Sequence, residues 1–242
     1  MERALRVLDA FPEVEGDVGT NELARVTGIN ASTVSRILAT LAAAGYVEHR
    51  PATGRYRLGP QVLRLSSHAL GGVDLRAAAR PHLDELVDET GETATLSVPG
   101  DPDAVTIDFV LSRASVASVA RVGRPSIAHA TATGKVMLAF APGELPAAPL
   151  ARYTEHTITD PARLADEVAA VRRAGHAHAS REREPDLNAV AVPVFGDPGE
   201  LIAILGIQGP DTRFRVRAQD AAVPLLRSHA LALSAALGYA LA

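Results

Sequence analysis

Before Gly45 the apolar positions recur every third or fourth residue, and after Glu92 they alternate instead. That change of period marks a passage from helices to strands. Glu2 to Phe11 reads as an amphipathic helix. Thr20 is placed to cap a short helix with apolar positions Leu23, Ala24 and Val26. Gly28 ends it, because a residue just past a helix terminus often needs the positive φ that glycine adopts without strain. Ile29 packs the turn, and Asn30 caps a second helix, Ala31 to Ala44. In that helix Val34, Ile37, Leu38 and Leu41 fall at i, i+3, i+4 and i+7, one core-facing stripe. The opposite face carries Ser32, Thr33, Ser35, Arg36 and Thr40, small hydroxyls and one arginine. Two short helices around a glycine turn, the second polar outside, predict a helix-turn-helix reading a major groove through those residues.

Gly45 stops the second helix. Tyr46-Val47-Glu48 and Arg55-Tyr56-Arg57-Leu58 read as strands joined by the turn Pro51-Ala52-Thr53-Gly54, which predicts the hairpin of a winged helix. Arg50, Arg55 and Arg57 lie on or beside that wing, within reach of phosphates or a minor groove. This first domain is expected to span 1–60. Gln61 to Leu70 keeps helical spacing and predicts a connector helix, ending at a Gly71-Gly72 hinge, over 61–73.

The remainder, 74–242, reads as a second domain. Asp74 to Thr90 is a long amphipathic helix closed by Gly91, with Pro81 expected to kink or restart it. Strands are predicted over Thr93–Val98, Val105–Leu111 and Ser118–Val122, and a buried helix over Ala132–Phe140. Asp160-Pro161 opens another helix, to Arg173, with Gly175 as its stop. Ala189–Phe195 and Leu201–Ile207 are expected to pair through Gly196-Asp-Pro-Gly199, and a long helix from about Arg217 closes the chain. Strands and helices mix without strict βαβ alternation, so the fold class is α+β with an antiparallel sheet and helices on its faces.

Composition narrows the function classes. The chain has 242 residues, 47% of them hydrophobic, and a formal net charge of −4 that by itself does not point to nucleic acid. Local charge does: between Asn21 and Gln61, Arg25, Arg36, Arg50, Arg55 and Arg57 face only Glu22 and Glu48. Glu13, Glu15 and Asp17 precede the motif in a loop expected to face away from DNA. The absence of cysteine excludes disulfides, zinc fingers and iron–sulfur clusters. No apolar run has membrane-spanning length and no signal peptide is evident, so the cytoplasm is the expected compartment, with no membrane partner.

The chain resembles the isocitrate lyase regulator (IclR) family of bacterial transcription factors. The resemblance rests on Glu22-Leu-Ala-Arg-Val-Thr-Gly28, Ser32-Thr-Val-Ser-Arg-Ile-Leu38, Leu41-Ala-Ala-Ala-Gly-Tyr-Val47 and Thr53-Gly-Arg-Tyr-Arg-Leu-Gly59. In the second half it rests on Ala79-Arg-Pro-His-Leu83, Glu89-Thr-Gly-Glu-Thr93, His129-Ala-Thr-Ala-Thr-Gly-Lys135, Thr157-Ile-Thr-Asp-Pro161 and Gln208-Gly-Pro210. It implies a winged helix-turn-helix, a linker helix and a GAF-like effector domain. It also implies a homodimer or dimer of dimers on double-stranded operator DNA, with operator affinity set by a small-molecule effector. The effector, often an organic acid, would lie against the amino end of the helix matching Ala130 to Phe140, whose free amides and dipole suit an anion. Carried over by motif, the lining is Ala132, Thr133, Ala179, Ala189, Gly206 and Gln208. Family members that take small oxoacids carry Asp, Cys, Ser and Ser at the last four positions. The pocket here is therefore expected to be roomier and less polar, suited to a partly apolar acid. Asn188, next to Ala189, is expected on the opposite strand face.

Other features read more plainly. Thr133-Gly134-Lys135 resembles the tail of a phosphate loop, but the first glycine is missing and Val136 replaces the required hydroxyl. Lys135, the only lysine, is expected to touch ligand or face solvent. His176-Ala-His178 is half a metal site without a third ligand, so no metal and no cofactor are expected. Glu182 and Glu184 alternate with Arg181 and Arg183 in what reads as a solvated or self-paired loop. No nucleophile–base pair is identifiable, so catalytic residues are none. The alternative is a small-molecule-processing enzyme that uses the winged helix only to dimerise.

Overall fold

The computed structural model describes residues 1–14, 16–62, 65, 75–115, 120–196 and 198–238. The chain divides into two compact units, Met1–Asp74 and Leu75–Ala242.

The first unit comprises α1 (Glu2–Asp9), a 3-10 turn at Phe11–Glu13, α2 (Thr20–Thr27), α3 (Ala31–Ala43) and the hairpin β1 (Val47–Arg50) and β2 (Arg55–Leu58). Thr20 does not cap α2. The cap is Gly19, whose extended backbone lets the chain enter the helix one residue earlier, and the Glu22 carboxylate accepts the Gly19 amide at 3.4 Å. Gly28 ends α2 at φ +67°. The Arg6 guanidinium donates to the Thr27 carbonyl, placing positive charge on the negative end of α2. Asn30 caps α3, its side-chain oxygen accepting the Thr33 amide at 2.9 Å. At the other end Gly45, at φ +77°, donates to the Ala42 carbonyl while Tyr46 donates to that of Leu41. These paired bonds satisfy two terminal carbonyls and turn the chain sharply into β1. Val7, Leu23, Ile29, Val34, Leu38, Leu41 and Val47 form the core, with Ile37 half-buried at its edge.

Residues 61, 62 and 65 are helical; the rest of the expected connector, and the Gly71-Gly72 hinge, lie outside the described residues.

The second unit contains α4 (Leu75–Thr90), β3 (Thr93–Val98), β4 (Ala104–Val110), β5 (Pro125–Ser126), α5 (Ala132–Phe140), α6 (Pro161–Ala174), β6 (Ala177–Ser180), β7 (Leu187–Gly196), β8 (Glu200–Pro210) and α7 (Val216–Ala236). One six-stranded sheet runs β5-β4-β3-β8-β7-β6, every pair antiparallel. Helices α4 and α7 pack on one face, α5 and α6 on the other. Among the described residues no helix is long and apolar enough to cross a membrane.

Three expectations need correction. Helix α4 runs through Pro81, which stands on its exposed face. Of the strand expected at Ser118–Val122, the described residues Ala120–Val122 are irregular, and the first two lie outside the described residues. Pairing with β4 begins only after Gly123 turns the chain at φ +80°, so the edge strand is Pro125–Ser126. The β7–β8 hairpin is also longer at both ends than alternation alone indicated.

Candidate DNA-binding surface and ligand pocket

The stripe that seats α3 in its core turns the other face outward. Ser32, Ser35, Arg36 and Thr40 are exposed and Thr33 is half-buried. Two hydroxyls are turned inward: that of Ser32 donates to the Asn30 side chain at 2.9 Å, and that of Thr40 to the Arg36 carbonyl at 3.1 Å. Among the described residues the Arg36 guanidinium makes no ion pair, unlike the arginines of the hairpin.

On the hairpin the register places Glu48 opposite Arg57 and Arg50 opposite Arg55. All four therefore share one face, while His49 and Tyr56 stack on the other at 4.8 Å. Arg57 pairs with Glu48 at 2.5 Å, Arg50 with Asp17 at 3.6 Å, and Arg55 with Glu22 at 2.8 Å. Arg55 also donates to the Asp17 carbonyl at 2.6 Å. The acidic loop thus lies against the wing: Val18 exchanges two 2.8 Å backbone hydrogen bonds with Tyr56, which brings Asp17 to Arg50 and Arg55. The side chain of Glu13 and all of Glu15 lie outside the described residues. The carboxylate partners come from three places: Asp17 from the 16–19 loop, Glu22 from α2 and Glu48 from the neighbouring strand β1.

In the second unit alternation builds the pocket floor. Ala179, Ala189 and Gln208 pair across β6, β7 and β8, and Ala177, Ala191, Gly206 and Thr95 form the adjoining row. Alanine and glycine in these rows leave a trough beneath the amino end of α5. Gly134 lets the 127–131 loop fold back against the first turn of α5: a Cβ there would lie 2.4 Å from the Ile127 carbonyl oxygen. Thr131 caps α5 by accepting the Gly134 amide at 2.9 Å, and the amides of the first turn have no intrahelical acceptor.

Of the positions implied by the family, Ala132, Thr133, Ala179, Ala189 and Gln208 line one cavity. Gly206 does not itself line it but borders it: a Cβ there would meet the Thr95 hydroxyl at 2.8 Å and the Thr133 hydroxyl at 3.6 Å, both on lining residues. Asn188 is turned away as expected, donating to Asp211 and to the Phe214 carbonyl. The pocket carries more charge than its strand residues indicate. Room for the centre of a water-sized sphere amounts to about 60 Å³ within about 590 Å³ of empty space that includes its open mouth, and Arg121, Arg124, Arg183, Glu182 and Glu184 stand around it. These charged side chains come from loops, and they occupy the space that small strand residues leave. Arg124 pairs with Glu184, and Arg183 donates to the Pro125 carbonyl at 2.6 Å.

Lys135 neither touches solvent nor lines the cavity. Its side chain is 1% exposed, and its ammonium meets Glu167 at 3.0 Å, Glu182 at 2.7 Å and the His178 carbonyl at 3.0 Å. Glu182 is correspondingly not part of a solvated loop. Burial pushes its carboxyl above the ordinary range, against the opposing pull of Lys135. The loop that carries it is pinned, since Thr157 donates to the Glu182 carbonyl and Thr154 to that of Arg181, each at 2.6 Å. Arg181 itself is held at φ +58°, a conformation that costs a non-glycine residue energy and persists only where surrounding structure enforces it. His176 and His178 are partly exposed, their rings 5.0 Å apart, and the Nδ1 of His176 faces the Arg227 guanidinium at 3.2 Å, which disfavours a cation.

Comparison with known proteins agrees with both halves. A model of the IclR helix-turn-helix domain matches residues 1–51, and one of the bacterial transcriptional regulator IclR C-terminal region matches 67–235. The chain is 32% identical over 249 residues to the HTH-type transcriptional regulator XynR of Escherichia coli, covering 99% of this chain and 97% of that protein. It is 30% identical to the transcriptional repressor IclR of the same organism, covering 87% and 80% respectively. Among solved structures, an IclR transcriptional regulator from Silicibacter sp. TM1040 superposes with a TM-score of 0.84 at 32% identity, covering 100% and 97%. An IclR homolog from Microbacterium hydrocarbonoxydans, complexed with 4-hydroxybenzoate, gives 0.79 at 27% identity, covering 97% of each chain. The curated relatives are regulators and repressors, which leaves the enzyme reading without support. The chain belongs to the IclR family of bacterial transcriptional regulators.

Proposed function

We propose that the chain binds double-stranded operator DNA through α3 and the wing, and that an organic acid in the cavity beside α5 changes that affinity. The observation that carries the ligand reading is the combination of an alanine floor with three arginines and a helix amino terminus at one cavity. Among the lining residues three arginines face Glu182 and Glu184, an excess of one positive charge that favours an anion. The ring or chain of the acid would bury apolar surface on Ala132, Ala179 and Ala189, worth about 25 cal/mol per Å². The complex of the Microbacterium homolog with 4-hydroxybenzoate supports an aromatic hydroxy acid as the first ligand to test.

Filling the floor with Ala189→Leu is expected to abolish both the rise in melting temperature with 4-hydroxybenzoate and the ligand's effect on DNA affinity. DNA binding without ligand should stay as in the parent protein. If the leucine variant still responds fully, the acid sits elsewhere.

On the DNA side, a helix-turn-helix unit reads one half-site, so a symmetric operator requires at least two copies. A homodimer or dimer of dimers is the corresponding assembly, checked by sedimentation at the concentrations used for DNA binding. Ser32, Thr33, Ser35, Arg36 and Thr40 would face base edges, and Arg50, Arg55 and Arg57 phosphates. Wing arginines already paired with carboxylates act as adjustable charges: the phosphate competes with Glu48, Asp17 or Glu22 for each one. Arg57→Ala is therefore expected to weaken binding to all sequences alike. The slope of log affinity against log salt should fall by about 0.9 for each phosphate no longer neutralised. Glu48→Gln should do the reverse on non-specific DNA. An unchanged slope in both would place this face of the wing away from the duplex.

A further inference from the structure

We propose that His82, Glu85 and His229 form a zinc site that joins the first helix of the second unit to its last. His82, Glu85 and Glu89 lie at i, i+3 and i+7 on α4, one face of that helix, and His229 stands opposite them on α7. The Nδ1 atoms of His82 and His229 are 3.0 Å apart, and the His229 Nδ1 is 3.7 Å from a Glu85 oxygen. One ligand atom from each of the three residues falls within 4.8 Å of the others. Zinc–nitrogen bonds of about 2.0–2.1 Å at tetrahedral angles put neighbouring donors roughly 3.3 Å apart. The observed separations straddle that value.

A second observation selects the donor atom. The Nε2 of His229 faces the Glu89 carboxylate at 3.4 Å. A metal-bound histidine commonly donates its other ring N–H to a carboxylate, which fixes the tautomer and leaves the ligating lone pair directed at the ion. Here that lone pair is on Nδ1, aimed at His82 and Glu85. Two imidazoles and one carboxylate, with a fourth position left for water, suit zinc and not magnesium or calcium, which take oxygen donors. Glu85 is exposed, so an ion has a path in. Glu89 is a positioning residue.

The test uses the full chain, stripped with a chelator and titrated with zinc alone and with cobalt(II) alone. One equivalent per chain is expected, with a raised melting temperature and the visible absorption of four-coordinate cobalt. His229→Gln and His82→Gln should lose the stoichiometric uptake and the cobalt spectrum. Glu85→Gln, on the surface and harmless to folding, should weaken zinc binding, and Glu89→Gln should weaken it about tenfold. Replacing His176 and His178 together should change nothing. Uptake that survives in Glu85→Gln and His229→Gln alike, or that disappears with His176 and His178 instead, overturns the assignment.

Discussion

Replacing Arg36 with alanine is expected to remove most of the preference for operator over scrambled DNA while leaving the fold of the first unit unchanged. Arg36 is in the middle of α3 on the face opposite Val34, Leu38 and Leu41, so truncating it leaves the core untouched. It is exposed, and among the described residues it makes no ion pair that would have to be broken before it reached a base. An arginine bidentate to guanine discriminates by about 1–3 kcal/mol, and a dimer applies that at each half-site. The ratio of specific to non-specific affinity, measured at fixed salt, should fall by at least about tenfold. The contrast with Arg57→Ala is diagnostic, because losing a phosphate interaction weakens both affinities and leaves their ratio in place. An unaltered ratio in Arg36→Ala would mean that another residue of α3 reads the sequence.

The second large effect is expected in the second unit. Lys135→Met removes the cation that meets both Glu167 and Glu182. The buried Glu182 carboxylate then has no counter-charge, and breaking such a pair from one side costs about 3–5 kcal/mol. Amide hydrogen exchange in β6–β8 reports this opening free energy without requiring the whole chain to unfold as one. Adding Glu182→Gln to Lys135→Met should restore much of the stability, since the uncompensated charge is then gone. A loss below about 1 kcal/mol in the single variant would show that water reaches the ammonium and screens it. Glu182 also lines the cavity, so the same substitution should weaken the response to an acid bound there.

How much of this was legible in the sequence depends on how far apart the partners lie. The Asn30 cap, the Val34–Leu41 stripe and the Gly45 stop are decided within a turn or two of chain, and each is found where the pattern put it. Strand alternation likewise turned Asn188 to the face opposite Ala189, while the family resemblance, not any period, brought Ala179, Ala189 and Gln208 together. What failed is what depends on distant chain. Lys135 reads as a solvent or ligand lysine because Glu167 and Glu182 stand 32 and 47 residues away. The arginines around the cavity come from loops whose course is set by Gly123 and by the Thr154–Thr157 clamp, and no period marks them. His82 and His229 are 147 residues apart, beyond any spacing rule for metal ligands. The expectation of a less polar pocket counted the side chains missing from the strands and omitted the charged ones supplied by the loops.

The central claim is that one chain couples an acid in the α5 cavity to operator affinity. Its most direct test is the affinity of the full chain for a DNA site selected from random sequence, measured by fluorescence anisotropy with and without saturating 4-hydroxybenzoate. Coupling free energies of about 1–3 kcal/mol are typical, so the dissociation constant should change by about fivefold or more in the parent protein and stay constant in Ala189→Leu. A selected site bound with the same affinity at every ligand concentration, although the ligand is shown to occupy the protein, would contradict the account.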